Sequence, residues 1–406
     1  MNGQQHRPVL VVGAGPVGLA AALALKSHGI PAAILEAEHE GRQRPGSRAI
    51  YIHRATLELL EEISPGLGLR LTEHGVIWQI KRTFFRGKEV YVRQYPKPEP
   101  GTIPAFTSLP QVVIERLFHE ACEAAGVEFR WNTRVTEVKS EKDQVTLKAA
   151  NGEVWTADYV IGCDGARSIV RSGVGIELQG PRSADTFIVV DLKEDESDPL
   201  PVERVFHYEH PAMDGRNVLF VPFKGGWRID LQLLPEDNVE DFAEEAGVRK
   251  WLPRVMHPKY ADRITWVSTY RFYQVVANSF ADANRRVFLA GEAAHLFAPF
   301  GARGLNSGVP DVVIGVRGIV KAMNAATEAE RAKAVADAAE ERRLAALHNR
   351  DAAGIALEHI QGISPYMKLK RELAASLAPL IPRLGRWLDE GPYGPKHGHP
   401  LVSTKY

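Results

Sequence analysis

The turn Gly13-Ala14-Gly15-Pro16-Val17-Gly18 narrows the possible folds of this chain more than any other feature. It stands between the apolar run Val9–Val12 and the alanine- and leucine-rich stretch Leu19–Ser27. The run predicts a buried parallel strand, and the stretch predicts a helix ended by His28-Gly29. A second apolar run, Ala32–Leu35, ends at Glu36. Strand, glycine turn, helix, strand and acid make a complete βαβ unit. In a turn of this spacing the first glycine permits the tight bend. The second lets backbone approach a pyrophosphate, and the third lets helix and strand pack closely. Phosphates would sit at the helix N-terminus, among unpaired N–H groups and the positive dipole end. Glu36, twenty-three positions after Gly13, suits a carboxylate accepting hydrogen bonds from an adenosine ribose. A glycine turn alone is weak evidence; with all five parts present the chain reads as a dinucleotide binder. The unit by itself does not separate NAD from FAD.

Further along, Gln111–Ala125 predicts a helix, and Val127–Trp131 and Val135–Val138 predict strands. Val145–Ala149 and Val154–Tyr159 read as a hairpin around Asn151-Gly152. From Asp185 to Tyr273 short alternating runs between turn residues predict an antiparallel sheet. Val287–Ala290 restores the buried-strand pattern. Beyond Ala325 the chain reads as helical, and Gly391–Tyr406, rich in Gly, Pro and His, is expected to lie as a surface tail. The nucleotide-type strands are thus split by an inserted sheet.

With 406 residues, 45% hydrophobic and 25% charged, the chain can bury a large core. Its 50 basic and 50 acidic residues cancel, which gives no reason to expect nucleic acid or stable membrane association. No apolar stretch is long enough for a signal or membrane helix. The only cysteines, Cys122 and Cys163, offer neither a disulfide framework nor metal spacing, so a cytoplasmic location is expected.

Two later motifs complete the pattern. Gly162-Cys163-Asp164-Gly165-Ala166-Arg167-Ser168 ends one strand. Gly291-Glu292-Ala293-Ala294-His295 ends another, followed by Pro299-Phe300-Gly301-Ala302-Arg303-Gly304-Leu305-Asn306. In this order, with Arg48 and Gln111, the chain resembles the class A FAD-dependent aromatic monooxygenases, the p-hydroxybenzoate hydroxylase-like family. The resemblance runs in pieces from Val9 to about Ile319. It implies an α/β fold: a Rossmann-like FAD-binding domain of residues 1–75, 104–178 and 275–325, and a substrate-binding β-sheet domain of residues 76–103 and 179–274. Residues 326–406 form a C-terminal helical segment and tail. The cofactor would be FAD, with NADPH or NADH as transient reductant. A flavin C4a-hydroperoxide would deliver one atom of O2 to a small aromatic substrate, in a monomer or homodimer.

The resemblance also implies site roles. Gly13, Gly15, Gly18 and Glu36 hold the adenosine diphosphate half. Arg48 lies near the flavin phosphates, and Gln111 touches the ribityl chain. Asp164 and Gly165 serve the pyrophosphate and the nicotinamide cofactor. Gly291 and Glu292 hold the ribityl, Pro299 packs at the reactive edge, and Gly304, Leu305 and Asn306 bring amides to the flavin N1–C2=O edge. Taken singly, Arg48, Gln111 and Arg303 also read as surface or capping side chains. Glu292 departs from the family aspartate, and weaker FAD binding is expected. Pro310 and Ile314-Gly315-Val316-Arg317 depart from the pattern after Asn306.

On the substrate side Arg228 matches a family arginine near the flavin, and His207 holds the phenol-activating tyrosine position. His207 either polarises a hydroxyl or is a sheet histidine with no chemistry. Phe223, at the carboxylate-binding arginine position, argues for an apolar, aromatic pocket. The competing readings are an epoxidase or Baeyer–Villiger oxygenase, and a flavin-binding protein with lost catalysis.

Overall fold

The computed structural model describes residues 5–42 and 51–395. The apolar runs meet in a seven-stranded sheet. Strand Gln5–Val12 lies between Ala32–Leu35 and Val154–Gly162, all parallel, and Glu128–Arg130 extends the sheet beyond Ala32–Leu35. Val160–Gly162 also pairs in parallel with Val287–Leu289, while the start of the same strand pairs with Val145–Ala149 in the hairpin expected at Asn151-Gly152. Parallel strands need both faces covered. Helix Pro16–Ser27 supplies one cover: it opens with proline at its first turn, and every residue from Gly18 to Leu25 is buried. It packs against the helices Gln111–Ala124 and Arg303–Met323.

The second seven-stranded sheet runs Ile264–Tyr273, Arg182–Lys193, Gly226–Gln232, Val218–Phe223, Glu203–Tyr208, Ile80–Phe85, Lys88–Gln94. All pairs are antiparallel except Glu203–Tyr208 with Ile80–Phe85. Both of its faces are covered. On the outer face Ile188, Val190, Val218, Phe220, Ile229 and Leu231 meet Val248, Trp251 and Leu252. On the inner face Phe85, Phe187, Phe206 and Tyr208 meet Ala298 and Phe300, together with Ala353, Ala356 and Leu388 of the C-terminal helices.

Helix Glu328–Gln361 begins with a capping box, Thr327 and Glu330 bonding each other's backbone N–H. It lies so close to Arg303–Met323 that a Cβ on Gly318 would stand 2.6 Å from Ala338 Cβ. Pro310 is tolerated inside the latter helix, which continues to Met323. The expected surface tail is corrected at its start. Gly391–Tyr393 form a 3-10 turn with Pro392 buried. Lys81 Nζ lies 4.0 Å from the Tyr393 ring centroid, and the Arg204 guanidinium lies 4.8 Å from it. The remainder, from residue 396, lies outside the described residues. No described helix is long and apolar enough to cross a membrane.

Candidate active site

Three turns that are far apart in sequence converge at the C-terminal ends of the parallel strands. Gly13 has φ +101°, and a Cβ there would stand 2.6 Å from the Cys163 carbonyl. That contact locks the first turn onto the second. Val17 locks the first onto the third: a Cβ on Gly291 or Gly308 would lie 2.9 or 2.5 Å from its side chain. Gly18 is needed within the first turn, since its Cβ would fall 1.9 Å from Gly13 O. Gly15 is the N-cap of helix Pro16–Ser27, in extended backbone and with no side-chain cap. Because Pro16 has no N–H, the amides of Val17 and Gly18 are left to meet an anion at this helix end. An uncapped, glycine-lined helix start of this kind fits the pyrophosphate of FAD.

Glu36 is buried and accepts hydrogen bonds from Ala14 N at 2.6 Å and Glu38 N at 2.9 Å. Arg42 Nη1 lies 2.6 Å from it and Nη2 bonds Ala14 O at 2.8 Å. Burial alone would raise the Glu36 carboxyl. These bonds and Arg42 outweigh it and hold the carboxyl below its ordinary value. The acid is therefore ionised, but it shares its lone pairs with Arg42, a residue for which sequence reasoning had no role. Arg48 lies outside the described residues.

In the second turn Asp164 is a cap. Its carboxylate accepts from Ser168 Oγ at 2.5 Å and from the amides of Ile169 and Val170 at 2.8 and 3.0 Å. The backbone of Gly165, at φ +79° with open space beside it, is what this turn offers a ligand. Arg171 then bridges the turns, bonding the carbonyls of Ala166 and Ala293, each at 3.0 Å. Behind the third turn Asp311 accepts from His295 Nε2 at 2.6 Å, Arg342 Nε at 2.9 Å and Gly291 N at 3.2 Å. Burial pushes Asp311 up, but His295 and Arg342 prevail and keep it below its usual range. Glu292 itself is exposed.

The loop after it reaches the substrate side. Pro299 is exposed, Gly301 (φ +80°) offers its carbonyl to His53 Nε2 at 3.0 Å, and Ala302 caps helix Arg303–Met323 in the left-handed region. Gly304 and Leu305 fall in the first helical turn, where amides have no helical acceptor. Asn306 uses its side chain as a staple, accepting from His53 N and donating to Tyr51 O, both at 2.9 Å. Arg303 turns away, to Asn349 Oδ1 and Tyr393 O. Gln111 donates along its own helix to Glu115 at 2.7 Å.

Strand alternation decides the substrate residues. Arg204, Phe206 and Tyr208 point to the inner face, and Val205 and His207 to the outer one. His207 stacks on Phe84, centroids 4.6 Å apart, and meets Phe220 of the outer core edge-on. Burial, then His210, push its imidazole down to about 4. His207 thus lies on the sheet face that packs on the outer core, opposite the face that Phe206 shares with Phe300. Arg228 lies on the inner face, bidentate to Asp191 at 2.8 and 2.9 Å. Phe223 joins Trp78, Phe106 and Val221 in an aromatic cluster with Tyr51, whose ring stacks on Phe106 at 4.7 Å.

Two inner-face residues escaped sequence reasoning. Arg204 is buried with no ion pair among the described residues, and its Nη1 has no hydrogen-bond partner there. Asp230 Oδ1 is likewise unpartnered. Burial, offset only partly by Arg228, raises the Asp230 carboxyl to about 6. Alternation could have placed both on one face, but with both faces covered it does not say which face is inward.

A family profile described as an FAD binding domain matches residues 6–349. The rifampicin monooxygenase of Streptomyces venezuelae is 30% identical over 311 residues, 75% of this chain and 62% of that protein. The 3-(3-hydroxy-phenyl)propionate/3-hydroxycinnamic acid hydroxylase of Mycolicibacterium gilvum is 28% identical over 77% of this chain and 53% of its own length. The chain thus spans little more than half to three-fifths of these relatives. The crystal structure of p-nitrophenol 4-monooxygenase from Pseudomonas putida superposes with a TM-score of 0.78 at 23% identity, covering 97% of this chain and 100% of that one, which establishes the fold.

Proposed function

We propose, because the chain belongs to the FAD binding domain family of class A FAD-dependent aromatic hydroxylases, that it consumes NAD(P)H and O2 to hydroxylate a small aromatic molecule. The observation that carries this reading is the meeting of the three glycine turns with an aromatic-lined inner sheet face across the Pro299 loop. When bound, FAD supplies the electron relay from NAD(P)H and the activation of oxygen. The chain supplies the rest. The amides of Val17 and Gly18 would receive the pyrophosphate, and Glu36, beside Arg42, would receive the ribose. The amides and dipole end of the first turn of helix Arg303–Met323 would stabilise the negative charge that reduction places on a bound flavin. Tyr51, Trp78, Phe106 and Val221 make an apolar wall that excludes water and holds a ring. Asp164 acts by shaping its turn, through its cap of Ile169 and Val170. The two cysteines are free, which supports the reducing cytoplasm expected for the chain.

Substrate-stimulated NAD(P)H oxidation in the FAD-loaded protein, with one labelled oxygen atom entering the product, is the expected result. Flavin reduction that no aromatic compound accelerates, with no label incorporated, would instead favour a binding protein without turnover. The exposed Glu292 in the third turn is the observation on that side.

A further inference from the structure

The inner face of the second sheet carries two polar groups that its own packing leaves unsatisfied. Arg204 makes neither an ion pair nor a hydrogen bond among the described residues; its guanidinium rests on the Tyr393 ring. Nearby cations are matched. Lys81 Nζ pairs with Asp389 at 2.9 Å, Arg93 with Asp389 and Glu390 at 2.8 Å each, and Arg228 with Asp191. A buried guanidinium is ordinarily paired, because an unpaired one loses its hydration with nothing in return. Asp230 is deep in the protein yet keeps some accessible surface. Its Oδ1 is buried and has no hydrogen-bond partner among the described residues.

Register fixes their separation. Asp230 pairs with Leu219, and Leu219 with Phe206, which is two residues from Arg204 on the same strand face. Two strand spacings and one pleat repeat give roughly 12 Å between Cα atoms. Once both side chains reach in, that leaves the span of one substituted ring. A cation with spare donors at one end and a carboxylate with a spare acceptor at the other define a ligand with opposite demands. Between them on the same face lie Phe206 and Leu219, and Leu219 packs with the cluster of Tyr51, Trp78, Phe106 and Val221.

We infer that Arg204 and Asp230 form a two-point clamp for an aromatic substrate, Arg204 binding an anionic carboxylate on it and Asp230 accepting a hydrogen bond from its ring hydroxyl. This rests on the monooxygenase reading for the identity of the site. It changes the expectation from Phe223, since the cation comes from the strand Glu203–Tyr208 and not from the Phe223 position.

The test is equilibrium binding to the FAD-loaded full chain, followed by flavin difference absorbance, with no turnover required. The probes are 3-hydroxybenzoate and 3-(3-hydroxyphenyl)propionate, each with its primary amide and its methyl ether. Wild type is expected to bind the acids about tenfold or more tighter than the amides, as a charge-assisted pair requires. Arg204→Met should bring acid and amide together while FAD content stays at the wild-type level; if that variant does not load FAD, Arg204→Gln carries the same comparison. Asp230→Leu should keep the acid preference and lose the preference for hydroxyl over methyl ether. The proposal is overturned if wild type binds acid and amide alike or binds neither, if the Arg204 variants keep the acid preference, or if Asp230→Leu still prefers the hydroxyl. Failure of the monooxygenase reading would show separately, as an intact acid preference without stimulated NAD(P)H oxidation.

Discussion

The two halves of this molecule are held together by different kinds of contact. Around the glycine turns the decisive interactions are made by backbone: Gly13 against the Cys163 carbonyl, Gly18 against Gly13, Asp164 capping amides a few residues on. On the inner face of the second sheet they are made by charged side chains from distant segments, Lys81 with Asp389, Arg228 with Asp191, Arg371 with Glu209. A backbone-built site tolerates no added atom, even where ion pairs such as Glu36 with Arg42 and Asp311 with Arg342 lie behind it. A site of buried ions tolerates shape changes but not the loss of a partner.

The largest effect should come from adding one methyl group to the backbone-built half. Gly18→Ala places a Cβ within 1.9 Å of a carbonyl oxygen. It should cost about 4 kcal/mol or more of stability and abolish FAD binding, read by denaturant titration and flavin content. Gly15→Val sharpens the point. At φ −73° and ψ 176° the backbone accepts any residue, so the protein should fold while the branched side chain blocks the pyrophosphate. A Gly15→Val protein that retains FAD would move the phosphate site elsewhere.

On the ionic half, Asp389→Asn leaves Lys81 buried beside Arg204 and Arg93 without its carboxylate. Burial and Arg204 already push the Lys81 ammonium well below its ordinary value, against the pull of Asp389. A loss of about 3–5 kcal/mol is expected, with the flavin spectrum kept in the absence of denaturant. An unchanged denaturation midpoint would show that this pair contributes nothing.

His207 offers a smaller, pH-dependent contrast. Its folded pKa of about 4 lies below the ordinary 6.5, so the unfolded chain binds the proton more readily. Its neutral burial therefore leaves stability intact above 6.5, and stability falls as pH drops towards 4. The amount is roughly 3 kcal/mol. His207→Leu should flatten that acid limb and leave turnover near wild type, because the side chain faces the outer core. Loss of coupling, with peroxide in place of product, would return His207 to the substrate side. The smallest change is expected for Glu292→Asp. The side chain is exposed, so FAD affinity should shift by less than about 1 kcal/mol by titration of the apoprotein, and a larger shift would give Glu292 a direct hold on the cofactor.

This same division explains what could be read from the amino-acid order. Gly13 and Gly291 were legible because a positive φ is a local demand that favours glycine, and Gly18 because its Cβ would strike Gly13 O five residues back. The parallel strands were legible as unbroken apolar runs. Arg42 was not, because nothing in its neighbourhood says that it folds back onto Glu36. Arg204 and His207 show the limit most clearly. They are three positions apart, on opposite faces of one strand. Since apolar residues cover both faces, alternation separates the two without telling which one looks inward. Arg303, expected near the cofactor, instead ties down Tyr393, and the start of the presumed tail proved to be part of the wall.

That wall has a consequence for biosynthesis. Lys81 and the Asp389 carbonyl that it bonds are 308 residues apart. At the ~5–20 residues per second of translation, roughly fifteen seconds to a minute pass between them on the ribosome. Throughout that interval the strand Ile80–Phe85 has been made but its counter-ion has not. The nascent chain carries Lys81 and Arg204 in water, where an ammonium and a guanidinium are at ease. The inner face can close only once Asp389 has been made, so the strands and turns that precede it have time to assemble first.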